Sequence, residues 1–313
     1  MAPARTITRV ERLMSALRER IRALAKQKGA LILAHYYQTM DIQEAADVVG
    51  DSFELARRAQ RAPQPCLVLC GVRFMAESAK LLSPDKTVLL PAPDAGCPMA
   101  DMVSPEDVDA LRARYPGVPV MCYVNSSAAV KARSDICCTS SSAVRLARRL
   151  PGTDIIFLPD KNLAAYVAQM VPEKNIIPFD GYCPIHHAVT AGDVEAAKRA
   201  HPEARVAVHP ECRPEVTSLA DFIGSTSELL SYIEQSDHKA FLLGTEAGVL
   251  ERLRVTAPHK AVYLLRAGFV CPNMKKTTLF DVQRALETGA EAIEVDECVA
   301  EGARNSLEGM VSL

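Results

Sequence analysis

The chain has 313 residues, 49% of them hydrophobic and 24% charged, with 15 glycines and 20 prolines, the make-up of an ordered globule and not of a disordered or fibrous chain. Lys and Arg total 36 against 38 Asp and Glu, a formal charge of -2, and aromatics are 5% with no Trp, which excludes a global basic surplus or a base-stacking platform for nucleic acid. The longest apolar runs, such as Leu31-Ile32-Leu33-Ala34, fall far short of a bilayer span, and ten cysteines are too sparse for a disulfide scaffold, so a cytoplasmic protein acting on small molecules, off the membrane, is expected.

The N-terminal MAPARTITRVERLMSALRERIRALAKQ keeps apolar positions at a helical period broken by charges, unlike a signal peptide. The run LILA then ends in His35-Tyr36-Tyr37-Gln38, Gly50-Asp51-Ser52 leads into the helical FELARRAQ, the strand PCLVLCG precedes the helix MAESAKLL, and KTVLLPAPDAGC ends at Cys97. The succession returns: VPVMC ends in Tyr123-Val124-Asn125-Ser126, Thr139-Ser140-Ser141-Ser142 leads into AVRLARRL, TDIIFLPD precedes NLAAYVAQM, and KNIIPFDGYC ends at Cys183. A third time, RVAV ends in His209-Pro210-Glu211, Gly224-Ser225-Thr226-Ser227 leads into ELLSYIEQ, KAFLLGT precedes AGVLERLRV, and KAVYLLRAGFVC ends at Cys271.

Positions 35, 123 and 209 are 88 and 86 residues apart, and cysteines 97, 183 and 271 are 86 and 88 apart. We read a thrice-repeated α/β unit of about 87 residues, whose strands and helices alternate on short connections and so imply parallel sheets with helices on both faces. The expected domains are 1–110 with the N-terminal helix, 111–195, and 196–280, followed by a C-terminal segment, 281–313, packed back on the body. Packed with pseudo-threefold symmetry, they would turn their strand C-terminal ends, where open α/β sheets bind ligands, onto one centre.

That centre would gather Cys97, Cys183 and Cys271 with His35, Tyr37, Tyr123, Asn125, His209 and Glu211, although buried core thiols are the ordinary alternative. A proline follows each of the three cysteines and restricts the backbone beyond the thiol. The spacing matches neither a zinc ribbon nor a ferredoxin. It leaves open a four-iron cluster with one iron free to act as a Lewis acid, or zinc completed by His or water. At the helix starts, Ser52, Ser140 and Thr226 are candidate contacts for substrate phosphate or carboxylate beside ordinary capping. Lys275 and Lys276 are candidates to add positive field near the third cysteine. The adjacent Cys137-Cys138 is a candidate redox pair, and the other out-of-register cysteines read as packed thiols. Arg57-Arg58 and Arg148-Arg149 read as surface rows.

The ordered blocks AHYYQ from Ala34, Gly50-Asp51-Ser52, FMAE from Phe74, Gly96-Cys97, Tyr123-Val124-Asn125, CTSS from Cys138, PDKNL from Pro159, Gly181-Tyr182-Cys183, HPEC from His209 and CPNMKK from Cys271 resemble the quinolinate synthase family across about residues 30 to 280. The resemblance implies three pseudo-threefold-related three-layer αβα domains with the active site at their common centre. It implies one [4Fe-4S] cluster held by Cys97, Cys183 and Cys271 with one open iron. It implies a cytoplasmic transferase of NAD biosynthesis, a monomer or homodimer, that condenses iminoaspartate with dihydroxyacetone phosphate to quinolinate, phosphate and water. An aspartate-oxidising enzyme would supply it. By the same resemblance, His35 and Tyr37 move protons, Glu211 acts as acid or base in dehydration, His209 orients a carboxylate, and Tyr123 and Asn125 hydrogen-bond an atom at the open iron. Ser52, Ser140 and Thr226 join them as substrate contacts. Some family members carry C-x2-C-x2-C near the third ligand. Here Ala267-Gly268-Phe269-Val270 precede Cys271, so a local thiol switch has no support. The alternatives are a zinc-dependent lyase or aldolase and a noncatalytic iron-sulfur sensor.

Overall fold

The sequence period becomes three four-stranded parallel sheets in the computed structural model, which describes residues 9–312; residues 1–8 of the expected N-terminal helix lie outside the described residues. The first unit runs α1 (Arg9–Lys28), β1 (Ala30–His35), α2 (Met40–Ala45), β2 (Val48–Gly50), α3 (Ser52–Arg61), β3 (Cys66–Cys70), α4 (Arg73–Leu82) and β4 (Thr87–Leu89). The second runs α5 (Pro105–Arg114), β5 (Val120–Tyr123), α6 (Ala128–Ala132), β6 (Ile136–Cys138), α7 (Ala143–Arg149), β7 (Asp154–Leu158), α8 (Lys161–Met170) and β8 (Asn175–Pro178). The third opens with a short α9 (Pro184–His187) and runs α10 (Ala191–Ala200), β9 (Arg205–Val208), α11 (Pro214–Thr217), β10 (Phe222–Ile223), α12 (Thr226–Gln235), β11 (Ala240–Gly244), α13 (Ala247–Thr256) and β12 (Ala261–Leu264). The sheet orders β2-β1-β3-β4, β6-β5-β7-β8 and β10-β9-β11-β12 are the same order three times.

The third strand of each unit is central and almost wholly buried, which is why it reads as an unbroken apolar run and not as an alternating one. Two features differ from the sequence reading. Each unit has an extra edge strand, β2, β6 or β10, of only two or three residues, too short to show a period. The fourth strand stops before the cysteine: after Leu89 the prolines at 91 and 93 withdraw backbone donors from the ladder, and Cys97 lies on the following loop.

Matching capping boxes open α5 (Ser104 with Asp107) and α10 (Thr190 with Asp193). The same device, Thr278 with Asp281, opens α14 (Leu279–Thr288). Among the described residues no fourth sheet follows; α14 instead buries Leu279, Val282, Ala285 and Leu286 among Ile21, Ile32 and Val68 of the first unit. The last helix, α15 (Glu297–Val311), lies between the first two units. Its Arg304 donates to the Leu81 carbonyl at 3.0 Å, and a Cβ on Gly302 would stand 2.9 Å from the carbonyl oxygen of Ala132. One apolar core runs through both of these units, while the third has its own on each sheet face.

The units meet head to tail. Glu77 on α4 accepts the Ala128 N–H of the second unit at 3.1 Å. Asn162 on α8 donates to the Glu211 carbonyl of the third at 3.0 Å. Gly248 on α13 lies so close to the first unit that a Cβ there would stand 2.4 Å from the Tyr36 carbonyl oxygen. Three such heterologous contacts in sequence close a ring, and the strand ends face its middle. Among the described residues no helix is long and apolar enough to cross a membrane.

Candidate functional site

At the middle of the ring is a cavity, the concave setting in which small-molecule sites form. All three units line it, and Cys97, Cys183, Cys271, His35, Tyr37, Tyr123, Asn125, His209, Glu211, Ser52, Ser140 and Thr226 are all on its wall.

The ends of the first strands supply the titratable groups. His35 and His209 occupy matching places at the ends of β1 and β9, and each bends its chain so that Nδ1 accepts the N–H two residues on, at 3.1 Å from Tyr37 and 3.3 Å from Glu211. That bond makes Nε2 the protonated nitrogen of the neutral ring. Both rings are buried, which lowers their pKa values to about 4 and about 3. The Tyr37 hydroxyl meets Thr226 Oγ1 at 3.2 Å and Thr245 Oγ1 at 2.9 Å, joining the first unit to the third. Tyr123 donates its hydroxyl to Glu211 Oε1 at 2.7 Å, joining the second to the third. Burial works against the Glu211 charge, but the imidazoles of His186 and His209 and the Tyr123 hydroxyl together hold the carboxyl below the usual range. Burial pushes both phenols well above theirs. Asn125 Oδ1 is buried without a hydrogen-bond partner, an acceptor left for something in the cavity.

At the helix starts, capping falls mostly to neighbours of the predicted hydroxyls. Asp51 caps α3 by accepting from Phe53 and Glu54, and Ser225 caps α12 in a box with Glu228. Ser52 is thereby free of that duty, and Thr226 is committed to Tyr37. Ser142 stands at the cap position of α7, leaving Ser140 on the cavity wall.

Each Cys-Pro step starts a tight helical turn: Ala100–Met102 after Cys97, α9 after Cys183, and Asn273–Lys275 after Cys271. Backbone N–H groups of these turns favour the thiolates, those of Ala100 and Met99 at Cys97, of His186 at Cys183, and of Met274 and Asn273 at Cys271. Burial pushes the Cys97 thiol up to about 12 and raises the other two; Cys271 adds to the rise at Cys97, and Cys97 to that at Cys183. Cys97 therefore shares a field with each of the other two sulfurs. Half-buried thiols whose pKa values are raised need a nearby cation to become thiolates, so this donor set fits a thiolate-bound metal group.

The sequence reading missed His186. Its Nδ1 donates to Glu211 Oε2 at 2.7 Å and lies 3.3 Å from Cys183 Sγ, and its Nε2 is 3.1 Å from Thr245 Oγ1. Ligand atoms of Cys183, His186 and Glu211 all lie within 4.8 Å of one another, a group able to hold a metal. Its one signal was a histidine three residues after a Cys-Pro cysteine; Ala100 and Met274 hold that place in the other repeats, so the register hid it. Two other readings change. Lys275 is neutralised by buried Glu246 at 3.1 Å, and Lys276 pairs with Asp94 at 2.8 Å, so neither is a free cation. Cys137 and Cys138 are successive residues of β6 and point to opposite faces of the sheet, which rules out the adjacent redox pair; Cys137 lies opposite Cys122 on β5 instead.

Residues 19–312 match the family described as Quinolinate synthetase A protein. The quinolinate synthase of Caldicellulosiruptor saccharolyticus is 52% identical over 297 residues, 95% of this chain and 98% of its own. That of Alkaliphilus metalliredigens is 52% identical over 94% of this chain and 97% of its own, and that of Methanoregula boonei 50% over 95% and 98%.

Proposed function

The chain belongs to the quinolinate synthetase A family and is an enzyme of the quinolinate synthase type, and on that premise we propose that it joins iminoaspartate to dihydroxyacetone phosphate at the ring centre, releasing phosphate and water. Cys97, Cys183 and Cys271 would hold a [4Fe-4S] cluster, whose iron without a protein ligand supplies Lewis-acid chemistry. The observation that carries this reading is that three Cys-Pro turns, one per unit, put three thiols on the wall that also bears His35, Tyr37 and Glu211.

The remaining roles follow from the donors each side chain has free. Ser52 and Ser140, with the N-terminal amides of α3 and α12, receive substrate phosphate or carboxylate, while the Thr226 hydroxyl stays with Tyr37. The Nε2–H of His35 donates to a substrate oxygen, and Tyr37 relays a proton through Thr226 or Thr245. Glu211, ionised and bonded to Tyr123, takes protons in the dehydration steps, while the Nε2–H of His209 orients a carboxylate. Asn125 offers its unpaired Oδ1 to an N–H or O–H of the substrate.

The test is anaerobic reconstitution followed by iron and sulfide analysis and a quinolinate assay. Four irons and four sulfides per chain are expected, with the visible absorbance and product formation both lost on changing any of the three cysteines to Ser. A second reading, a zinc-dependent lyase or aldolase, draws on the Cys183, His186 and Glu211 group. In that group Glu211 and His186 already spend donors and acceptors on each other, on Tyr123 and on Thr245. One zinc and no sulfide would establish it and overturn the cluster.

A further inference from the structure

Each cysteine loop is tied to its own unit by a backbone bond that recurs three times. The first N–H of α4, α8 and α13 donates to the carbonyl two residues before the cysteine: Arg73 to Ala95, Lys161 to Gly181 and Ala247 to Phe269, each at 2.8 Å. A second tie is present in only two units. Asp160 caps α8 with Oδ1, accepting from Leu163 at 2.7 Å, while its Oδ2 accepts the N–H of Cys183 at 3.0 Å. Glu246 caps α13 with Oε2, accepting from Gly248 at 2.6 Å, while its Oε1 accepts the N–H of Cys271 at 3.3 Å. Both carboxylates are fully buried. The matching residue of the first unit, at the cap of α4, is Val72, which makes no side-chain cap bond.

We propose that Asp160 and Glu246 are positioning residues for the thiols of Cys183 and Cys271, and that Cys97, whose unit carries Val72 at the matching cap, is the thiol with the greatest freedom. The inference rests on the three-thiol reading above. The chemistry asks for a carboxylate and not merely a helix cap, because two backbone N–H groups must be accepted at once on two different oxygens. An amide would cap the helix equally well and would turn an NH2 donor against the cysteine N–H. Glu246 carries the tie further: Lys275 bonds Glu246 and donates to the Tyr37 carbonyl at 2.6 Å, so the third cysteine loop and the backbone of Tyr37 share one support.

The experiment uses the full chain, stripped of metal anaerobically, with iodoacetamide as probe and mass spectrometry reading each cysteine over time. With labelling done above the value of about 8 to which burial and the Glu211 charge raise Asp160, so that its carboxylate is ionised, Asp160→Asn should carboxamidomethylate Cys183 about tenfold faster, the value of one buried hydrogen bond to a charged group, with Cys97 and Cys271 unchanged. Glu246→Gln should do the same for Cys271 alone. Asp160→Glu, which restores two acceptors, should return Cys183 toward the wild-type rate. Thermal unfolding should fall by only a few degrees for Asp160→Asn, since the cap survives and a single buried bond is lost. An Asp160→Asn protein whose Cys183 reacts as in the wild type, or one in which all three thiols speed up together, would overturn the proposal. Because the readout is on the metal-free chain, it stands or falls apart from the iron and sulfide analysis that decides the cluster.

Discussion

Glu211 is the residue on which side chains of all three units depend, since its carboxylate binds Tyr123 of the second unit and His186 of the third and its charge, with that of Asp51, offsets part of the burial that lowers His35 in the first. Glu211→Gln keeps the shape and an acceptor for Tyr123 but removes the charge. Quinolinate formation should fall at least about a hundredfold with little change in the unfolding midpoint, and unchanged turnover would remove Glu211 from the chemistry. His35 leaves a mark on acid stability. Unfolded, it protonates near the ordinary 6.5, and folded, near 4. Between those values the unfolded chain holds the extra proton, so the stability contribution is complete above about pH 6.5 and is lost as pH falls toward 4, on the order of 3 kcal/mol at most. His35→Asn, which keeps an acceptor for the Tyr37 N–H, should flatten that part of a urea-unfolding profile; an unaltered slope would mean that His35 does not stay neutral. At this scale the sequence was legible wherever residue type and repeat register coincided, as at the three cysteines. His186, Asp160 and Glu246 were missed because the first repeat carries Ala100 and Val72 at their places, so no threefold pattern marked them.

Among the elements, the start of α13 is held most tightly, with Gly248 against the backbone of Tyr36 and Tyr37. Gly248→Ala must push those atoms apart, at about 1 to 3 kcal/mol in stability, and the shift falls on Tyr37. Turnover should drop by more than the loss of folded protein explains, measured as activity per folded molecule by circular dichroism. Gly192 on α10 is the contrast: its added Cβ would meet nothing nearer than Thr190 Oγ1 at 3.6 Å, so Gly192→Ala should stabilise by roughly 0.5 kcal/mol. The central strands and the helices after them could be read because burial on both faces writes a long apolar run. The edge strands could not, since two or three residues carry no period, and the cysteine loops looked like strand ends because apolar residues continue past the point where the ladder stops.

For the whole molecule, the period in the sequence carried the ring but not the fate of the last two helices. Thr278 and Asp281 kept the capping-box register that Ser104 and Thr190 began, yet only packing shows that α14 serves the first unit. α15 has no counterpart in the repeat, and buries Ala303, Leu307 and Met310. A chain ending before Glu297 should expose their partners on the first two units, losing several kcal/mol and aggregating on purification; a soluble truncated chain with wild-type melting would show that α15 is dispensable.

The ring also imposes an order of assembly. The contact from Glu77 to Ala128 spans 51 residues and that from Asn162 to Glu211 spans 49, so both can form soon after the second partner leaves the ribosome. The contacts that join the third unit to the first span 208 residues at Tyr37 and Thr245 and 238 at Lys275 and Tyr37. Long loops close late. Tyr37 therefore waits for nearly the whole chain before it meets its partners, and the catalytic centre is finished by the slowest contact and not by the folding of any single unit.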